Sequence, residues 1–331
     1  MAQIINRDNF PDFNDNLEIM WRKSYDEFPK RAAVLYDMED VDVDTGDESG
    51  MDGYSVARKK REGGDFKFLS IAQNYRKSWH VYEIGGETEI TWLMRRAAKY
   101  KKISQAIQGI ARSAAKRLEW DLTHRFTFAT STSYTDLDGD TVDTTVGDGF
   151  SLLYTAHTVP GSTTTYRNRI ANNPIVSQGG LEAAEKLYAT QMIDTNGELI
   201  FEEPTHIITS NDPNTVNTVK KYLGSYADPD AAHAGVDNVY EGKYGHIVLP
   251  YLATTARGAY DSTKAKMWFL ANVPHTDAIV KVLEHPTFIP PTDNGGKDFE
   301  TMNWKYACHA AYAIEIVDPR WIVGSTGDGT A

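Results

Sequence analysis

Alternate carboxylates can ligate a hard cation, and the chain has two such triplets, Asp40-Asp42-Asp44 and Asp136-Asp138-Asp140. An EF-hand-type calcium loop also needs glycine at its sixth position and a bidentate glutamate at its twelfth. Those places hold Thr45 and Met51 in the first triplet and Thr141 and Gly147 in the second, so no metal site is expected. The nine histidines are dispersed, without an HxH or HxxxH pair, and Cys308 is the only cysteine. A zinc site is therefore not expected, and Cys308, set among Ala307, His309 and Ala310, reads as a buried inert thiol. No nucleophile elbow, phosphate loop or dinucleotide fingerprint occurs. The glycine pairs at 63–64, 85–86, 179–180 and 295–296 read as turns. No catalytic residue, cofactor or enzymatic activity is expected.

The bulk properties fit a folded chain. Of 331 residues, 41% are hydrophobic and 24% charged, the balance of an ordinary globular protein. No apolar run reaches membrane-spanning length, and the first residues lack a signal-peptide core. A single cysteine fits assembly in a reducing cytoplasm. The formal net charge of −12 opposes tight binding to nucleic acid, which depends on Lys and Arg neutralising phosphates.

Charge and aromatic content are unevenly distributed. Phe10, Phe13, Trp21, Tyr25 and Phe28 punctuate a polar start, with a short helix expected at 17–27 and Pro29 as its stop. These aromatics suit either the chain's own core or a neighbouring subunit. Eight acids then fall between Asp37 and Asp52 with no base among them, followed by Arg58, Lys59, Lys60 and Arg61. Phe66, Phe68, Ser70 and then Trp79, Val81 and Tyr82 suggest returning strands, so this stretch reads as a long charged hairpin without its own core.

The strongest periodicity lies at 93–129. Ile103, Ile107, Ile110, Ala114, Leu118, Leu122 and Phe126 recur at steps of three or four, which predicts one helix of about 50 Å laid across a sheet. Residues 130–149 read as loop, and strands then alternate with helices. A helix is expected over 181–192, a strand over 205–209, and a helix opened by Asp212 as cap and Pro213 in its first turn. Strands are expected over 246–251 and 266–270, and two long ones over 304–323, broken at Asp318-Pro319.

This order of parts resembles the Hong Kong 97-like fold of tailed-bacteriophage major capsid proteins, an α+β architecture shared with encapsulin shells, over nearly the whole chain. Gly149 to His157 followed by Tyr166 and Asn168, the segment Leu181 to Met192, and the closing Glu315 to Val323 are similar to stretches of Mu-type head subunits. The resemblance implies an N-terminal arm at 1–35 and an extended loop at 36–90. It implies a peripheral domain at 91–165 and 281–311, with spine helix 93–129, and an axial domain at 166–280 and 312–331.

It further implies self-assembly into hexamers and pentamers that form an icosahedral head. That head would enclose double-stranded DNA without specific binding, and would involve a portal, a decoration protein and no membrane. Because Met1 stands almost at the arm, a separate scaffolding protein is implied. Some relatives cross-link a loop lysine to a neighbour's asparagine. Lys59, Lys60 and Lys67 lie in the corresponding segment, but no asparagine matches and nothing is carried over. Candidate contacts between subunits are Asp40, Asp42, Asp44, Arg58, Lys59, Lys60, Arg61, Phe10, Phe13 and Trp21. Two alternatives stay open: an encapsulin-type shell around enzyme cargo, and a soluble α/β enzyme with an unrecognised site.

Overall fold

The computed structural model describes residues 12–69, 73–97, 99–229, 236–291 and 301–329. Helix α1 (Asp12–Asp26) leads through a short 3-10 turn at Ala32–Leu35 into β1 (Asp37–Asp40), β2 (Thr45–Met51), β3 (Gln73–His80) and β4 (Tyr82–Ile90). Next come α2 (Trp92–Arg96) and α3 (Tyr100–Thr127), then the small hairpins β5–β6 (Ser133–Thr135, Thr141–Asp143) and β7–β8 (His157–Thr158, Thr165–Tyr166). Helix α4 (Gln178–Gln191), β9 (His206–Ser210), α5 (Pro213–Gly224), β10 (Gly245–Leu249) and β11 (Trp268–Ala271) follow. Strands β12 (Ala278–Ile289), β13 (Trp304–Ile316) and β14 (Ile322–Ser325) close the chain.

Two four-stranded sheets organise these elements. The first has the order β1-β12-β13-β4, with β1 parallel to β12 and the other pairs antiparallel. Its face is covered by α3, with α1 against the same helix. Every third or fourth residue of α3 is apolar, so one stripe is buried: Ile103, Ile107, Ala111, Ala114, Leu118 and Leu122. The second sheet, β10-β9-β11-β14, carries α5 against β9 and α4 against β14. Ser177 caps α4 through the Gly180 N–H; Asp212 caps α5 through the Thr215 N–H at 3.0 Å with Pro213 in the first turn, and this second cap is the one the sequence predicts.

Three expectations need revision. The long helix is two helices. The Lys99 N–H bonds to the Met94 carbonyl, five residues back, and Lys99 itself is non-helical (ψ 47°). Arg95, Arg96, Lys99, Lys101 and Lys102 crowd like charge at helical spacing here, which opposes an unbroken helix. The segment expected as loop at 130–149 contains the β5–β6 hairpin, with Tyr134 buried. The charged hairpin is a hairpin only at its base, since β2 pairs with β3 from Thr45↔His80 to Met51↔Gln73 and residues 52–69 carry no strand. Apart from these three, the domain boundaries expected after Val280 and Ala311 lie along the continuous strands β12 and β13.

Candidate subunit interface

The hairpin base is fastened to the body by charge. Lys281 on β12, nearly buried, bonds Glu39 of β1 and reaches Glu48 of β2 at 2.7 Å. Burial alone would depress its ammonium, but the two glutamates raise it above the usual lysine range. Asp47 accepts bonds from Arg76 and Ser78 across the β2–β3 ladder. Trp79 packs flat over Gly46, where a Cβ would stand 2.5 Å from the indole.

Strand pairing stops at Met51 because the next carboxylate has another partner. Asp52 binds Arg320 at 2.7 and 3.1 Å and accepts the Thr195 N–H at 2.8 Å. Asp318 binds the same guanidinium, through Nε at 2.7 Å. Burial pushes the Asp52 carboxyl up, yet Arg320 and Thr195 together hold it below the usual carboxylate range. Burial likewise opposes the charge on Arg320, and the two aspartates overcome it. The last tie is the Val56 N–H to Glu198 at 3.2 Å.

Beyond Val56 the chain leaves the body. Arg58, Lys59, Lys60 and Arg61 are all exposed and, among the described residues, enter no ion pair. A turn closes at Arg61–Gly64, where the Gly64 N–H bonds the Arg61 carbonyl and Gly63 has φ +72°, a conformation open to glycine. Lys60 sits 4.2 Å over the Phe66 ring, and Phe66 and Phe68 are otherwise bare, the first 80% exposed. Met51, Tyr54 and Val56 are also largely exposed. Large apolar side chains are thus clustered, exposed, on one segment that carries no strand, which makes it a candidate contact surface.

The individual candidates fare differently. Of the eight acids between Asp37 and Asp52, five have partners in their own chain: Glu39, Asp40, Asp47, Glu48 and Asp52. Asp40 pairs with His285 at 2.8 Å in an exposed position. The expected coreless acidic arm is therefore corrected: most of its charge locks it to its own subunit, and Asp42 and Asp44 are exposed without an ion-pair partner among the described residues. Trp21 is corrected too. It is only 3% exposed, stacked on Tyr25 at 5.4 Å and packed near Phe288, so it belongs to the α1–α3 core and cannot reach a neighbour. Phe10 and the Phe13 side chain lie outside the described residues.

The apparent calcium triplet has an internal use. Asp136 accepts the N–H groups of Asp138, Gly139 and Asp140 at 2.9 Å each, and Arg117 binds both Asp136 and Asp138. His157 is fully buried with Asp148 at 2.7 Å. Cys308 is buried in the apolar cluster of α1, α3 and the first sheet, and burial raises its thiol above the ordinary range. The lock residues Arg320 and Lys281 gave no signal in the sequence, because the hairpin carboxylates they hold, Asp52, Glu39 and Glu48, lie over two hundred positions away.

Residues 76–325, well over half the chain, match the phage capsid protein family. The chain belongs to that family. As a capsid protein its place is the virion capsid, and its mixed helix and sheet architecture agrees with the Hong Kong 97-like expectation. No curated protein matches it. Among solved structures, the virus-like particle from Pyrococcus furiosus is similar at 10% identity and TM-score 0.47, over 95% of this chain and 99% of that one. The capsid of the cyanophage P-SCSP1u is similar at 10% identity and TM-score 0.49, over 88% of this chain and 85% of that one. The capsid of an empty GTA particle is similar at 12% identity and TM-score 0.48, over 89% and 88%. These likenesses are too distant to add weight to the family match.

Proposed function

We propose that this capsid protein self-assembles through hexamers and pentamers into a closed icosahedral shell around double-stranded DNA, with residues 57–69 as the part that reaches a neighbouring subunit. The observation behind it is the contrast within one excursion: a base bolted by Lys281 and Arg320, and a tip with bare aromatics and unpaired cations. A rigid root lowers the entropy cost of presenting the tip, and many weak contacts add up in a closed assembly. Of the three acids of this stretch left without an ion-pair partner among the described residues, Asp37, Asp42 and Asp44, the last two lie between β1 and β2 and offer a copy of the chain partners for Arg58 to Arg61. In this reading residues 1–35 form an arm, the first sheet with α3 the peripheral part, and the second sheet with α4 and α5 the axial part. Strands β12 and β13 run through both. A scaffolding protein, a portal and a decoration protein are the further partners, and assembly takes place in the host cytoplasm.

Negative-stain electron microscopy with light scattering on the purified full chain, alone and co-expressed with its scaffold candidate, tests the proposal. Closed particles, or rings of five or six, are expected. A strictly monomeric chain under both conditions contradicts it.

A further inference from the structure

Between Thr91 and Leu118 the chain has eight cations, counting from Arg95 to Arg117, and no Asp or Glu at all, within a protein whose net charge is −12. The α3 part of this stretch buries one stripe and leaves the opposite arc to solvent. On that arc lie Lys101, Lys102, Gln105, Gly109, Arg112 and Lys116, all exposed. At about 100° per residue they fall within little more than a quarter of the helix circumference. Among the described residues Lys101, Lys102 and Arg112 have no ion-pair partner, while Lys116 leans toward the rings of Trp120 and Tyr251 at 5.7 and 5.9 Å. Gly109 stands mid-face with no atom within 4 Å of where its Cβ would be, so backbone is open to close approach.

We propose that this face of α3 contacts the phosphate backbone of double-stranded DNA, without reading its sequence. Resting on the shell reading above, it would be the patch by which an acidic wall meets its contents. The chemistry favours a polyphosphate over an acidic protein. The arc has cations and short or amide side chains and no exposed apolar anchor, whereas protein partners are held mainly by buried aromatic or aliphatic side chains. From Lys101 to Lys116 the helix rises about 22 Å, alongside a duplex bearing roughly one charge per 1.7 Å. Four cations suffice for a weak, salt-sensitive contact, compatible with DNA that must later leave.

The test measures binding of a fluorescent duplex to the full chain across a salt series, with assembly followed by light scattering in the same samples. Lys101, Lys102, Arg112 and Lys116 are changed together to Gln. A control changes the exposed Lys186, Lys220, Lys221 and Lys266 to Gln, an equal loss of charge elsewhere. Four phosphate contacts predict a log–log salt slope of about −3 to −4, hence a loss on the order of a hundredfold in affinity between about 50 and 200 mM salt. The α3 variant is expected to lose that slope with its helix content intact by circular dichroism, and the control to keep it.

Equal duplex binding by wild type and α3 variant overturns the inference, as does equal loss in the control. Loss of assembly with duplex binding unchanged also overturns it, and assigns the face to an acidic surface of another copy. Failure of the wild type to assemble would strike the shell reading instead, a separate readout.

Discussion

The two halves of α3 solve opposite problems with the same secondary structure. From Tyr100 to Arg117 the helix is amphipathic, with a buried apolar stripe against α1 and the sheet, and a cationic arc in solvent. From Leu118 to Thr127 it is buried nearly all round, polar groups included: Glu119, Asp121, Thr123, His124, Arg125 and Thr127. The first half is stabilised by area removed from water. The second carries charges into the interior, where each must be paired. Asp121 accepts bonds from Arg117 at 3.0 Å and from the hydroxyls of Tyr312 and Tyr82 at 2.9 and 3.2 Å. Arg125 donates to the carbonyls of Ile314 at 2.6 Å and of Asp143. Glu119 receives the Ala32 N–H at 3.0 and 3.1 Å, tying the link after α1 to the spine. A helix can thus present charge outward at one end and use charge as internal fastening at the other.

The largest effect is expected in the buried half. Asp121→Ala leaves Arg117 paired with Asp136 and Asp138 but strands two buried tyrosyl hydroxyls, and chemical denaturation should register a loss of about 3–5 kcal/mol. In the amphipathic half, Trp21→Ala opens a cavity between α1 and α3 and should cost about 3 kcal/mol or more by the same measurement.

Glu119 gives a pH signature. Burial raises its carboxyl to about 7, against the opposing pull of the Ala32 and Arg31 amides. A folded carboxyl above its unfolded value binds its proton more tightly when folded, so its contribution is present at low pH and fades as pH climbs through about 7. Glu119→Gln, which keeps an acceptor and never ionises, should gain on wild type by roughly 1–2 kcal/mol between about pH 5 and pH 8. Parallel stability–pH curves would contradict this. The smallest effect belongs to the exposed arc: Gly109→Ala should raise stability by about 1 kcal/mol, since the site is helical and open.

What was legible in the sequence follows the same division. Periodic apolar burial announced the bulk of α3, α4 and the closing strands, because a helix face or a strand repeats at short range, and Pro29 marked the stop after α1. The caps Ser177 and Asp212 act within three residues, and Asp212 was readable as such. The order of parts carried the family resemblance. Partners distant in sequence were not readable: Lys281 with Glu39, Asp52 with Arg320, Arg125 with Ile314. For that reason the acidic stretch looked like a free arm. Trp21 looked equally suited to core or neighbour, since an amphipathic terminal helix has the same pattern whether it docks at home or abroad. The separation of α2 from α3 had no proline or glycine to mark it.

The most direct measurement compares the full chain with a variant lacking residues 57–68, which removes the bare tip and spares the Asp52–Arg320 and Lys281 anchors. Sedimentation and electron microscopy, with circular dichroism and thermal melting on the same samples, should show large closed assemblies for the full chain. The variant should be a folded monomer with a nearly unchanged melting temperature. Shells of normal size from the variant would contradict the account.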